Sequence, residues 1–102
     1  MPVTKDEALK ALDRLDELIS HFGGPYEADH REFKSIIFSF RAGPLQDPYF
    51  REKLSDLESQ AGDGFSVRKF ANVNGGLQQV RVWALGSLGI ARSLVEEHWP
   101  AK

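Results

Sequence analysis

Apolar positions recur at three- and four-residue spacing through most of the chain, the period of helices buried on one side. The first stripe is Ala8, Leu12, Leu15, Leu18, Ile19 and Phe22, with Leu9 and Ala11 at its edges. Lys10, Asp13, Arg14, Asp16 and Glu17 make the opposite, wet face. Thr4 with Glu7 three positions later forms a capping box, and Asp6 and Glu7 suit the positive end of the helix dipole. Gly23-Gly24-Pro25 ends this helix. A second stripe, Phe33, Ile36, Ile37 and Phe40, predicts a helix from near Ala28 to Arg41, closed by Ala42-Gly43-Pro44, with Phe38 off its core face. Asp47-Pro48 reads as an N-cap followed by proline in the first helical position. The third helix then carries Phe50, Leu54, Leu57 and Ala61, and Gly62-Asp63-Gly64 breaks it.

The segment from Gly75 to Trp99 holds the densest apolar run and no proline. As a helix it puts Leu77, Val80, Ala84, Leu88, Ala91 and Val95 on one stripe. Trp83, Ile90 and Leu94 then widen the apolar arc to about half the circumference, the pattern of a helix with several neighbours. Gly86, Ser87 and Gly89 are poor helix formers. They mark either a close approach by another backbone or a break. Residues 65–74 fit a loop, a strand, or a short helix capped by Ser66.

The fold that follows is all-α, a small antiparallel four-helix bundle with a possible short extra helix at 66–73. The alternative is α+β, with a hairpin at 65–85 turning at Asn72-Val73-Asn74-Gly75-Gly76, because Asn-Gly is a hairpin signal and Val80 and Val82 alternate with polar residues. An extra helix would bring His98 back toward His21 and His30, the other two histidines; a mere crossover loop would leave it at the far end.

Composition narrows the classes. One hundred and two residues, 41% apolar and 27% charged, make one globular domain spanning 1–102. Without cysteine there is no disulfide framework, thiolate metal site or cysteine nucleophile. The N-terminus has no apolar run of signal-peptide type, and the uncharged run from Val82 to Ala91 is far too short to span a bilayer. These features predict a cytoplasmic protein with no membrane association. Residues 1–61 hold eight Lys/Arg against twelve Asp/Glu, and residues 62–102 hold five against three, so −4 and +2 give the net −2. That balance lacks the concentrated basic surface of a non-specific nucleic-acid binder.

Candidate chemistry is sparse. Glu27 and His30 have the Glu-x-x-His spacing of carboxylate-bridged metal bundles, but only one such motif is present. His30 as a phosphotransfer histidine would want a lysine three residues on, and Lys34 stands one place late. A helix-turn-helix around Ala71 and Gly75 would present Gln78, Gln79 and Arg81, with Arg68 and Lys69 nearby, as nucleic-acid contacts. There is no nucleophile elbow and no phosphate loop. Aromatics are in surplus over the helical stripes, and exposed aromatics and arginines anchor interfaces. The sequence therefore predicts a non-catalytic protein–protein interaction module, a small regulatory or accessory protein without a cofactor. Phe38, Tyr49, Phe65, Arg68, Lys69 and Phe70 are its candidate partner-binding residues, with self-association among the possibilities. The alternative is a helical nucleic-acid-binding regulator.

Overall fold

The computed structural model describes residues 4–100. Among them are five helices: α1 (Lys5–Ile19), α2 (Glu27–Arg41), α3 (Pro48–Gly64), α4 (Val67–Ala71) and α5 (Gly76–His98). Residues 1–3 and 101–102, at the ends of the expected domain, lie outside the described residues.

Local signals start the helices as the sequence predicts. The Thr4 hydroxyl accepts the Glu7 amide while the Glu7 carboxylate accepts the Thr4 amide, each at 3.1 Å. The Asp47 carboxylate accepts the amides of Tyr49 and Phe50, and the Ser66 hydroxyl accepts that of Lys69. Each such cap satisfies helix amides that have no intrahelical partner.

The four long helices alternate in direction. α1 and α3 occupy diagonal corners, and α2 and α5 each pack against both. α4 lies in the connection from α3 to α5. The bundle interior contains the predicted stripes. Ala8, Leu12, Leu15, Leu18 and Ile19 meet Phe33, Ile37, Phe40, Phe50, Leu54, Leu57 and Ala61, and α5 adds Val80, Ala84, Leu88, Ala91 and Val95. Complete burial of a side chain such as Phe33 contributes about 2–3 kcal/mol. Ile36 and Leu77 are only partly buried. Ion pairs tie neighbouring helices at the rim. Arg14 grips Glu32 through two nitrogens at 2.6 and 2.8 Å, Arg41 meets Glu58 at 2.7 Å, and Arg92 meets Asp13 at 2.6 Å.

Aromatic clusters close both ends. Phe22 lies edge-on to Phe65 with centroids 4.9 Å apart and also touches Phe33. At the opposite end Trp99 lies edge-on to Phe40, which in turn meets Phe50.

Several expectations are corrected. The 65–85 hairpin does not form; no strand occurs among the described residues. A strand would have turned Val80 and Val82 to one side. The helix instead buries Val80 with Ala84 and Leu88. α3 continues through Gly62-Asp63-Gly64 rather than breaking there. α5 runs unbroken through Gly86–Gly89. Among the described residues nothing packs on those two glycines, since a Cβ added at either would meet nothing within 4 Å. Trp83 and Ile90 do not widen the buried stripe; they are exposed. The fifth helix does not return His98 to the other histidines. Five residues advance only about 7–8 Å, so α4 does not cross the bundle, and α5 ends beside Phe40.

Gly64 packs directly beneath the Phe22 ring, where a Cβ would overlap the ring carbons. Gly64→Ala is therefore expected to destabilise the fold by about 1–3 kcal/mol, as overpacked cores do. Gly86→Ala and Gly89→Ala, at open positions inside a helix, are expected to stabilise it by up to about 1 kcal/mol each. Urea denaturation followed by circular dichroism checks both signs.

Candidate functional site

The exposed side of α5 carries four of the eight large apolar side chains exposed among the described residues. Val82, Gly86, Gly89 and Ser93 follow one another at intervals of four, three and four residues and so share a line along the helix. Trp83 and Ile90 flank that line on one side and Leu85 on the other. Val82 is 51% exposed, Trp83 46%, Leu85 46% and Ile90 37%. All four stand within two and a half helical turns on an otherwise small-residue surface.

The face is uncharged because its neighbouring cations are drawn away. Arg81 Nη2 donates to the Phe22 carbonyl at 2.5 Å and reaches the Ser20 carbonyl at 3.5 Å. Arg92 turns to Asp13 on α1. Both arginines therefore lean toward α1, and the segment between them faces solvent without a charge. Contiguous exposed apolar surface of this kind marks interaction sites in soluble proteins.

A cleft of about 560 Å³ adjoins the first turns of α5 and is lined by His21, Gly23, Tyr26, Asp29, Leu77 and Arg81, among others. The short Gly23-Gly24-Pro25 turn brings His21 Nδ1 to 3.1 Å from Asp29 Oδ2. A carboxylate orients an imidazole in this way in catalytic sites, but a nucleophile must then lie within reach of the ring. Ser20, the nearest hydroxyl in sequence, donates to the Glu17 carbonyl at 2.5 Å instead. Arg81 Nη2 is occupied by main-chain carbonyls. The cleft thus has a shape for binding and lacks a nucleophile poised for attack. A smaller hollow of about 320 Å³, lined by Asp16, Ile19, Ser20, Arg81 and Leu85, carries the α1–α5 groove on to the apolar face.

The residues singled out from the sequence do not converge. Phe38 projects from α2, 70% exposed, and Tyr49 stands on the first turn of α3 beneath the Lys53 ammonium. Phe65 and Phe70 belong to the other end of the bundle. Phe65 is withdrawn from the partner-binding set: its ring is buried between Phe22 and His30. Phe70 is partly buried against the core. Arg68 and Lys69 are exposed on α4. Arg81 leaves the nucleic-acid set, because its guanidinium donates to the Phe22 carbonyl in the turn after α1. Gln78 is exposed and Gln79 half-buried at the start of α5. With Arg68 and Lys69 they present only two cations to a phosphate backbone, and the five-residue α4 is too short to brace a recognition helix. Glu27 and His30 gain no third donor; among the described residues no group of three His, Asp or Glu side chains is placed to hold a metal ion.

The α5 face is hard to read in the sequence because Trp83 and Ile90 sit where they widen the buried stripe. The signal that could have exposed it is the alignment of Val82, Gly86, Gly89 and Ser93 on the side opposite Ala84, Ala91 and Val95. Comparison with family models, curated proteins and solved structures finds no match. No described helix is long and apolar enough to cross a membrane.

His30 stacks on Phe65 with centroids 5.3 Å apart. Burial against that ring pushes its pKa below the ordinary 6.5, and Lys34 and Lys69 push the same way against a small opposing pull from Glu58. The unfolded chain therefore binds a proton more readily than the folded one. The resulting stability is fully present above about pH 6.5 and is lost as pH falls from there through the folded pKa. Urea midpoints of the protein should decline on going from pH 7.5 to 5.5, and His30→Leu should flatten that decline.

Proposed function

We propose that the chain is a non-catalytic protein–protein interaction module that docks through the outer face of α5. The observation that carries this reading is the uncharged face of Val82, Trp83, Leu85 and Ile90, left in solvent while the adjacent arginines are held against α1. The face has the two components of a helix-docking surface. A central line of small residues allows a second backbone near, and large side chains on both sides bury area around it. The lack of cysteine suits the reducing cytoplasm in which we place this activity.

This docking needs neither the cleft nor the histidines. It also separates binding from folding, because the residues involved are exposed in the single chain. Val82→Arg with Gly86→Lys, the second at an exposed position where an added side chain meets nothing within 4 Å, should leave the unfolding free energy no more than about 0.5 kcal/mol below that of the parent, as surface substitutions do. A photo-crosslinking side chain at Leu85, introduced in the native cells, should give a discrete protein adduct that the double substitution removes. The same probe at Glu52, an exposed position on α3, should give none. Crosslinks from Leu85 no different from those at Glu52 would overturn the reading.

A further inference from the structure

We infer that the occupant of the α5 face is a second copy of this chain, its α5 packed antiparallel about a two-fold axis near Gly86. The inference rests on the docking function proposed above and names its partner.

Three features of the face suit an inverted copy of itself. The first is shape. A two-fold axis perpendicular to α5 returns each flank of the helix to the same side with its direction reversed. Trp83 then stands beside Ile90 of the second copy and Ile90 beside its Trp83, because the two residues are nearly equidistant from Gly86. Leu85, close to the axis, meets Leu85 of the second copy. The small residues Gly86 and Gly89 lie between these rows, where the helices are closest. A parallel pair would set the bulky Trp83–Ile90 flank against the thinner flank that has Leu85 alone.

The second feature is charge. α5 begins without an acidic residue in its first turn, without a side-chain cap at Gly75, and with the exposed cations Arg68 and Lys69 of α4 packed at that end. It finishes with exposed Glu96 and Glu97. The helix dipole adds positive character to the first end and negative character to the last. Antiparallel pairing sets Glu96 and Glu97 level with the beginning of the other α5, at both ends of the interface at once. Parallel pairing would set acid beside acid.

The third is extent. From Gln78 to Glu97 the face is about 30 Å long and one helix wide. Such an area falls at the small end of specific interfaces, below about 1,200 Å² in total, the size of reversible rather than obligate association.

Sedimentation equilibrium of the full chain from micromolar to near-millimolar concentration tests this. A monomer–dimer equilibrium is expected. Gly86→Glu and Gly86→Lys should each weaken it at least about tenfold by placing like charges together near the axis. An equimolar mixture of the two variants should restore dimerisation as a heterodimer. Far-UV circular dichroism of each variant shows that the monomer is intact. The second tryptophan, Trp99, is buried, so in a Trp99→Phe background the Trp83 emission should shift blue as the dimer forms. A wild-type chain that stays monomeric throughout overturns the second-copy assignment, as does dimerisation indifferent to both charge variants. A monomer that still gives the Leu85 adduct with a different protein leaves the docking function standing and removes only this partner. A monomer with no adduct removes both.

Discussion

The bundle depends on how α1 ends. Helix C-termini leave carbonyls without intrahelical partners, and α1 carries no basic residue of its own in its last turn. A cation arrives instead from Arg81, fifty-nine positions along the chain, which donates to the Phe22 carbonyl in the turn three residues beyond the helix. The next amide, that of Gly23, donates to the Gly64 carbonyl at 3.0 Å. The Phe22 ring fills the notch over Gly64 and meets Phe33 and Phe65. Through residues 22 and 23, therefore, α1 is locked to α2, α3 and α5 at one end of the molecule. This junction gives Gly64 a packing reason to be glycine, and it lets α3 run past a sequence that resembles a turn.

The same junction fixes the rotation of α5 about its own axis. Arg81 must face α1 to reach the carbonyl, and Arg92, three turns later, makes the matching contact with Asp13. Successive residues on a helix turn by about 100°. With Arg81 and Arg92 toward α1 and Ala84, Leu88, Ala91 and Val95 inward, Val82, Gly86 and Gly89 have only solvent left to face. The apolar outer surface is thus a consequence of two long-range contacts. Sequence periodicity could not disclose it, because those contacts join residues 59 and 79 positions apart.

That separates what was legible in the sequence from what was not. The stripes of α1 and α3 and the caps at Thr4, Asp47 and Ser66 could be read, because they follow from spacing within one helix or from a side chain and an amide three residues away. Phe22 was correctly placed in the core although it lies beyond the last residue of α1. Gly64 is not legible, because a glycine under a distant ring and a glycine in a turn are the same letter. Phe65 looks like a surplus aromatic for the same reason; its burial depends on Phe22 and His30 arriving from other elements. On α5 the apolar residues outnumber what one buried arc can hold. Local pattern could count the excess and could not say which residues were in excess. The candidate site is that excess, so it became visible only once Arg81 and Arg92 had their partners.

Gly86 and Gly89 carry the last step. In the single chain they have no evident structural use. They neither cap, nor turn, nor admit a neighbour, and alanine at either position would favour the helix by about 1 kcal/mol. Trp83 beside them likewise leaves 46% of its surface in water. Both facts take a different sign once another helix lies on the face. Glycine then permits a closer approach than alanine, and a tryptophan that was half in water becomes buried area. A helix with small residues along its outer line and large ones beside it is poorly designed to stand against solvent and well designed to stand against a similar helix. The arrangement is thus explained by what covers the face, and the charges at the two ends of α5 favour its own inverted copy in that place.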